Sequence, residues 1–306
     1  MTVFSVTDAA FEGFRLTWEK PRTLLIWTGF FLVVNLIVPL AIFGFGLAPR
    51  MEELDAVLAS RSQDPQAEIA IMIGLWPVYA ILLPTALLVL AAISAAVFRL
   101  VLDPEESRLH PVQFGWEEAR LIALFLSYFL LFFVVVLTVV FIGGIIAALA
   151  AIAAEVVGLS FATPLIGKAI GLALCGGLIY VAVRMSLGPV VSFSEGRIAI
   201  FASWAMSKGL FWPMLSAYAL ATLSVATFYI LCSVLAAALG AIMLGGNLAA
   251  VGQLTRPDMS SFGAFFSPVR VLMLVFWAFT LAVFYPVMSA PAAVIYREIR
   301  ARRSTV

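Results

Sequence analysis

The stretch Leu121–Val157, LIALFLSYFLLFFVVVLTVVFIGGIIAALAAIAAEVV, decides the fold, because its thirty-seven residues carry one charge, Glu155. An apolar run of that length is far longer than a strand and is the signature of a helix in lipid. In hydrocarbon the backbone N–H and C=O groups must be satisfied within the segment, which for a single run leaves the helix. At about 1.5 Å per residue it exceeds a bilayer core of about 30 Å, so it must tilt, protrude or bend. The pair Gly143-Gly144 is the expected bend.

Five further runs reach the roughly 20 residues a span needs. They cover 24–48, 69–102, 166–191, 211–244 and 269–296, so with 121–157 the chain has six. Pro77 and Pro84 interrupt the second, and Pro286 and Pro291 fall in the second half of the sixth. The 306 residues are 64% hydrophobic and 11% charged, a surplus too large for one water-soluble core, so the excess must face lipid. The expected fold class is an all-α polytopic membrane protein, a single membrane domain over 1–306.

The charges orient it. Short segments rich in Lys and Arg resist translocation. Thirteen basic residues collect on one side: Arg15, Lys20, Arg22, Arg99, Arg108, Arg120, Arg184, Arg197, Lys208, Arg297, Arg300, Arg302 and Arg303. Five (Arg50, Arg61, Lys168, Arg256 and Arg270) fall on the other. Six spans with both termini in the cytoplasm fit this split. Met1–Glu19 lacks the basic start and short apolar core of a secretory signal, so insertion should use the first span. Pro49–Glu68 reads as a polar, mildly acidic loop or short helix on the outer side, and Leu244–Pro268 as a Gly, Ser and Asn-rich connection.

Three surface helices are expected at 7–20, 111–120 and 194–208. Each pairs an aromatic with a tryptophan and a base: Phe14 to Lys20 around Trp18, Phe114 to Arg120 around Trp116, and Phe201 to Lys208 around Trp204. The even-numbered spans end alike, in Val97-Phe98-Arg99, Ala182-Val183-Arg184 and Ile295-Tyr296-Arg297. The unit would be a surface helix followed by a hairpin, three times over. Equally, Trp and Arg decorate the cytoplasmic interface of any membrane protein without duplication. The first surface helix sorts Phe11, Phe14 and Trp18 to one side and Asp8, Glu12, Arg15 and Glu19 to another, so it should lie in the headgroup plane.

Arg184 is the most informative charge, since apolar residues flank it on both sides at the inner end of the fourth span. Such a residue pairs, faces a cavity or snorkels to phosphates. Arg184, Arg99, Arg297 and Lys208 are the candidate contacts for a lipid headgroup or other anion, and Trp18, Trp116 and Trp204 the interfacial anchors. Glu155 and Lys168, at the outer ends of the third and fourth spans, are placed to pair. The hydroxyls of the fifth span, from Ser216 to Ser233, read first as packing groups and second as a polar path. Gly167 and Gly171 form a GxxxG, and Gly188-Pro189 should end or kink the fourth helix.

Other classes lose ground. A net charge of +1 provides no field to recruit nucleic acid. Cys175 and Cys232 lie in apolar runs, and His110 is the sole histidine. Asp103, Glu105 and Glu106 near it read as a solvated, proline-bounded loop. Walker, GxSxG, HExxH, CxxC and dinucleotide patterns do not occur, so no catalytic residue, metal or cofactor is expected.

The stretch Tyr180-Val181-Ala182-Val183-Arg184-Met185-Ser186-Leu187-Gly188-Pro189-Val190-Val191, continued by Glu195-Gly196 and Ala202-Ser203-Trp204-Ala205-Met206-Ser207-Lys208-Gly209-Leu210-Phe211-Trp212, resembles a known motif. It is similar to uncharacterised bacterial six-helix membrane proteins related to the membrane domain of membrane-anchored glycerophosphodiester phosphodiesterases. The resemblance implies a multi-pass protein of the bacterial inner membrane. It carries no catalysis across, since in the phosphodiesterases the chemistry belongs to a separate soluble barrel for which this chain has no room. The expectation is a non-enzymatic membrane protein whose partners are lipids or other membrane proteins, with a small-molecule or lipid transporter as the alternative.

Overall fold

The structure, a computed structural model, describes residues 4–59, 65–103, 115–156, 163–243, 245–246 and 261–303. Among them are twelve helices: α1 (Val6–Glu19), α2 (Pro21–Gly44), α3 (Ala48–Ala59), α4 (Pro65–Gly74), α5 (Trp76–Leu102), α6 (Trp116–Val156), α7 (Thr163–Met185), α8 (Gly188–Glu195), α9 (Ala202–Met206), α10 (Phe211–Met243), α11 (Phe262–Phe265) and α12 (Pro268–Arg303). Six helical segments are long and apolar enough to cross a membrane: α2, α5, α6, α7 continued by α8, α10 and α12. That is the architecture of a multi-pass membrane protein.

The helix boundaries have local causes. The second run is divided at Leu75, where Pro77 sits in the first turn of α5 and supplies no backbone donor, so α4 and α5 are separate helices. The polar stretch before it is helical, as α3. The fourth run ends at Met185 and restarts at Gly188, because Pro189 has no N–H for the Met185 carbonyl. Residues 194–208 do not form one surface helix: Gly196, at φ 67°, caps α8, and α9 is a separate five-residue turn of helix. Of the expected helix 111–120, Trp116–Arg120 form the first turns of α6, and 111–114 lie outside the described residues. α6 runs through Gly143-Gly144 as one helix, and Gly143 admits α7: a Cβ there would stand 3.1 Å from Leu174 Cδ1.

α12 is the central helix, touching α1, α2, α5, α8 and α10. It runs antiparallel to α2, with Phe31 stacked on Tyr285 (5.1 Å between centroids) and Phe43 edge-on to Phe265 near its start. The C-terminal ends of α5 and α12 meet, since Arg297 donates to the Val101 carbonyl at 3.2 Å. This "basic end" of the bundle is tightly packed: Ala91–Phe98 of α5 and Ala290–Tyr296 of α12 are all buried. Beyond Phe129, α6 is exposed on most sides, as is α7 before Leu178. Apolar all round, their partner is lipid.

α1 is docked on the bundle. It docks against α12 and α10 through Ala9, Ala10, Gly13 and Thr17, and Glu12 is buried on that side. Phe11 and Trp18 point away, Trp18 89% exposed, while Phe14 meets the Phe228 ring edge-on. Gly13 explains the choice of face. A Cβ there would lie 2.3 Å from Val287 Cα, so only glycine lets the two backbones touch.

Candidate functional site

The break between α7 and α8 exposes carbonyls that the continuous helix would have used, and the chain supplies a side-chain donor for each. Ser186 Oγ donates to Val183 O at 2.8 Å. The Arg184 carbonyl accepts from Ser203 Oγ at 2.5 Å and from Ser207 Oγ at 3.2 Å. The Tyr128 hydroxyl reaches both Met185 O (3.3 Å) and Ile200 O (2.9 Å). Ser203 Oγ in turn accepts from Leu187 N at 3.1 Å. Gly188 is needed here because a Cβ would stand 1.8 Å from Tyr128 Oη.

Arg184 belongs to this node. It is 6% exposed, and its guanidinium donates to Trp204 O (2.7 Å) and Ser207 O (3.0 Å), the carbonyls that end α9. The charge lies 4.6 Å from the Trp204 ring centroid and 5.9 Å from that of Tyr180. Two carbonyls and a ring face replace water around the two terminal nitrogens, while the buried Nε has no hydrogen-bond partner among the described residues. A cation would find the carbonyls of this broken helix already occupied.

Arg99 is also held internally. In the last turn of α5 it pairs with Glu117 (2.9 Å) and with the buried Glu118, both in the first turn of α6, and lies 5.6 Å from the Phe193 ring. The other oxygen of Glu118 accepts from Gly115 N at 2.8 Å, three residues back, which is half of a capping box. The ion group thus ties α5 to α6 and starts α6. The hydroxyls of α10 turn inward likewise: Ser224, Thr227 and Ser233 each donate to a carbonyl of their own helix three or four residues back.

Beside the node is an apolar groove of about 470 Å³. α6 provides Tyr128 and Phe132, α7 Val181 and Met185, and α8 and α9 close it with Pro189 and Trp204. It opens on the flank of the bundle where α6 and α7 meet lipid. Trp204 forms its wall and is fixed from behind by Arg184, and Lys208 follows one turn later, exposed, with no ion pair among the described residues. Tyr180, Phe211 and Trp212 form a chain of ring contacts next to it. The groove has room for an acyl chain, and Tyr128, Phe201 and Trp204 give it an aromatic wall.

The remaining expected residues are placed as follows. Trp116 is 83% exposed and Trp204 partly so. Arg297 is half-buried against Val101 O and has Glu298 at 3.9 Å. Lys168 is exposed, and the Glu155 side chain lies outside the described residues. Sequence reading singled out Arg184, Trp204 and Arg99 but not Ser203 and Ser207, which support Arg184, nor Glu118, which pairs with Arg99. Compared with known proteins, no family model, curated protein or solved structure matches the chain.

Proposed function

We propose that the chain is a non-enzymatic, multi-pass protein of the bacterial inner membrane, both termini cytoplasmic, that binds membrane lipid in the groove between α6, α7 and α9. The groove itself carries this reading: about 470 Å³ of apolar space beside the exposed faces of α6 and α7, with Trp204 in its wall. The orientation rests on the charge distribution, since the end where α12 terminates in arginines is the end that resists translocation. Kinship with the six-helix proteins named above is part of the same proposal. A transporter is supported less well, because the freed carbonyls at the α7–α8 break and most α10 hydroxyls already have partners.

The test is photolabelling of the protein in nanodiscs with a diazirine phospholipid, followed by peptide mapping. Label concentrated on Tyr128, Phe132, Val181 and Met185, and displaced by the groove-filling change Ala182→Phe, is the expected result. Label spread evenly along the exposed faces of α6 and α7, unchanged in Ala182→Phe, would sink the reading.

A further inference from the structure

Two polar cavities lie at the C-terminal end of α12, on the far side of α8 from the break at Met185–Gly188. The first, about 210 Å³, is lined by Ser194, Glu195, Met206, Tyr296, Arg300 and Arg303. The second, about 360 Å³, shares Ser194, Tyr296 and Arg300 with it and adds Arg297 and Asp103. Tyr296, Arg300 and Arg303 stand at i, i+4 and i+7 on one helical face, so one stripe of α12 presents a hydroxyl and two guanidiniums. Any membrane protein collects arginines here. These differ in lining half-open cavities whose other walls come from α8 and α9.

The walls are fixed and the cations are free. Tyr296 and Ile299 are buried, which anchors this turn of α12, and the Tyr296 hydroxyl is hydrogen-bonded to Ser194 Oγ of α8. Arg297 is held by Val101 O. Arg300 and Arg303 are exposed, and neither has a hydrogen bond or ion pair among the described residues. Glu195, the one carboxylate on the first cavity, is paired with Arg197 at 2.7 Å. Asp103 borders only the second. The first cavity is therefore the anion seat, and the second is room for the remainder of a molecule.

We propose that these cavities form a phosphate-binding site, with Arg300 and Arg303 gripping the phosphate oxygens and the Ser194–Tyr296 hydroxyl pair completing their hydrogen bonds. A guanidinium fork matches phosphate in two-point contact. A tetrahedral anion accepts donors from several directions at once, which suits two arginines and the one O–H left free by the Ser194–Tyr296 bond better than a planar carboxylate does. The phosphate belongs to a lipid headgroup or to a free phosphate ester, and the two sources share this chemistry. The site stands apart from the acyl groove, and its success or failure leaves that reading untouched.

The experiment uses the full chain in phosphatidylcholine nanodiscs. Titration calorimetry with inorganic phosphate and with glycerol 3-phosphate tests the free source. Native mass spectrometry of phosphatidylglycerol retention tests the lipid source. In either arm Arg300→Ala with Arg303→Ala weakens binding tenfold or more, and Tyr296→Phe, which leaves charge and packing in place, weakens it several-fold. Arg22→Ala, the same loss of charge in the first turn of α2, leaves it unchanged. A loss seen only with soluble probes assigns a free ester, and a loss seen only with phosphatidylglycerol assigns a headgroup. The proposal is overturned if the double variant binds every probe within twofold of the parent, or if Arg22→Ala weakens binding as much.

Discussion

The α7–α8 break makes a quantitative prediction through one contact, Gly188 against Tyr128. Gly188 does not have a positive φ, so alanine meets no backbone strain there, and the obstacle is the hydroxyl that its Cβ would meet at 1.8 Å. Ordinary carbon–oxygen contact lies well beyond 3 Å, so the phenol must swing by more than 1 Å and give up Met185 O and Ile200 O. Overpacking of this kind costs about 1–3 kcal/mol, and a lost hydrogen bond about 1 kcal/mol more, so Gly188→Ala should cost about 3 kcal/mol. Tyr128→Phe alone removes one shared O–H donor and should cost about 1 kcal/mol.

The double variant separates the mechanism from simple addition. With the hydroxyl gone, the new Cβ faces ring carbon Cζ at 3.0 Å, and a shift of a few tenths of an ångström accommodates it. Once Tyr128→Phe is in place, Gly188→Ala should cost only about 1 kcal/mol, a coupling of about 2 kcal/mol, well above the 0.3–0.5 kcal/mol within which independent sites add. Reversible unfolding in mixed micelles of increasing dodecyl sulfate measures all four corners. Additive costs, or a neutral Gly188→Ala, would refute the contact.

Four further outcomes follow. Arg99→Met leaves Glu118 buried without its cation and should destabilise by about 3 kcal/mol or more, whereas Glu117→Gln, at a half-exposed carboxylate, should cost less than about 1 kcal/mol in the same unfolding assay. Gly13→Ala should release α1 from α12, because the obstruction is Val287 backbone, and limited proteolysis should then cut within 6–19. Gly176→Ala, with nothing within 4 Å of the new methyl, should be neutral or stabilising by up to about 1 kcal/mol. If the proposed orientation holds, green fluorescent protein fused at either terminus should fluoresce, and alkaline phosphatase fused after Phe45 should be active. The reverse pattern would invert the topology.

The spans were legible because lipid solubility is a property of local composition, and any window of about 20 residues reports it. The break at Gly188-Pro189 was legible for the same reason, since proline's missing donor acts within one turn. What composition cannot report is which groups meet across the chain. Arg184 was visibly misplaced, yet its partners Trp204 and Ser207 lie two dozen residues or fewer ahead on another element, brought back only by the turn at Gly196. Its neighbours in sequence made a headgroup anchor reasonable, and the carbonyls that satisfy it were invisible there.

The orientation of α1 shows the other gap. Hydrophobicity favours Phe11 and Trp18 as the docking face, and in water that would govern packing. At a membrane surface it does not, since Phe11 and Trp18 can face lipid instead of protein, and close approach of the backbones governs the docking face. A glycine in mid-helix costs about 1 kcal/mol relative to alanine, so Gly13 needs a packing reason, and the contact with Val287 provides it. In an all-apolar chain the small residues therefore say more about contacts than the large ones. By the same logic Gly176, where an added Cβ would meet nothing within 4 Å, has no such reason among the described residues.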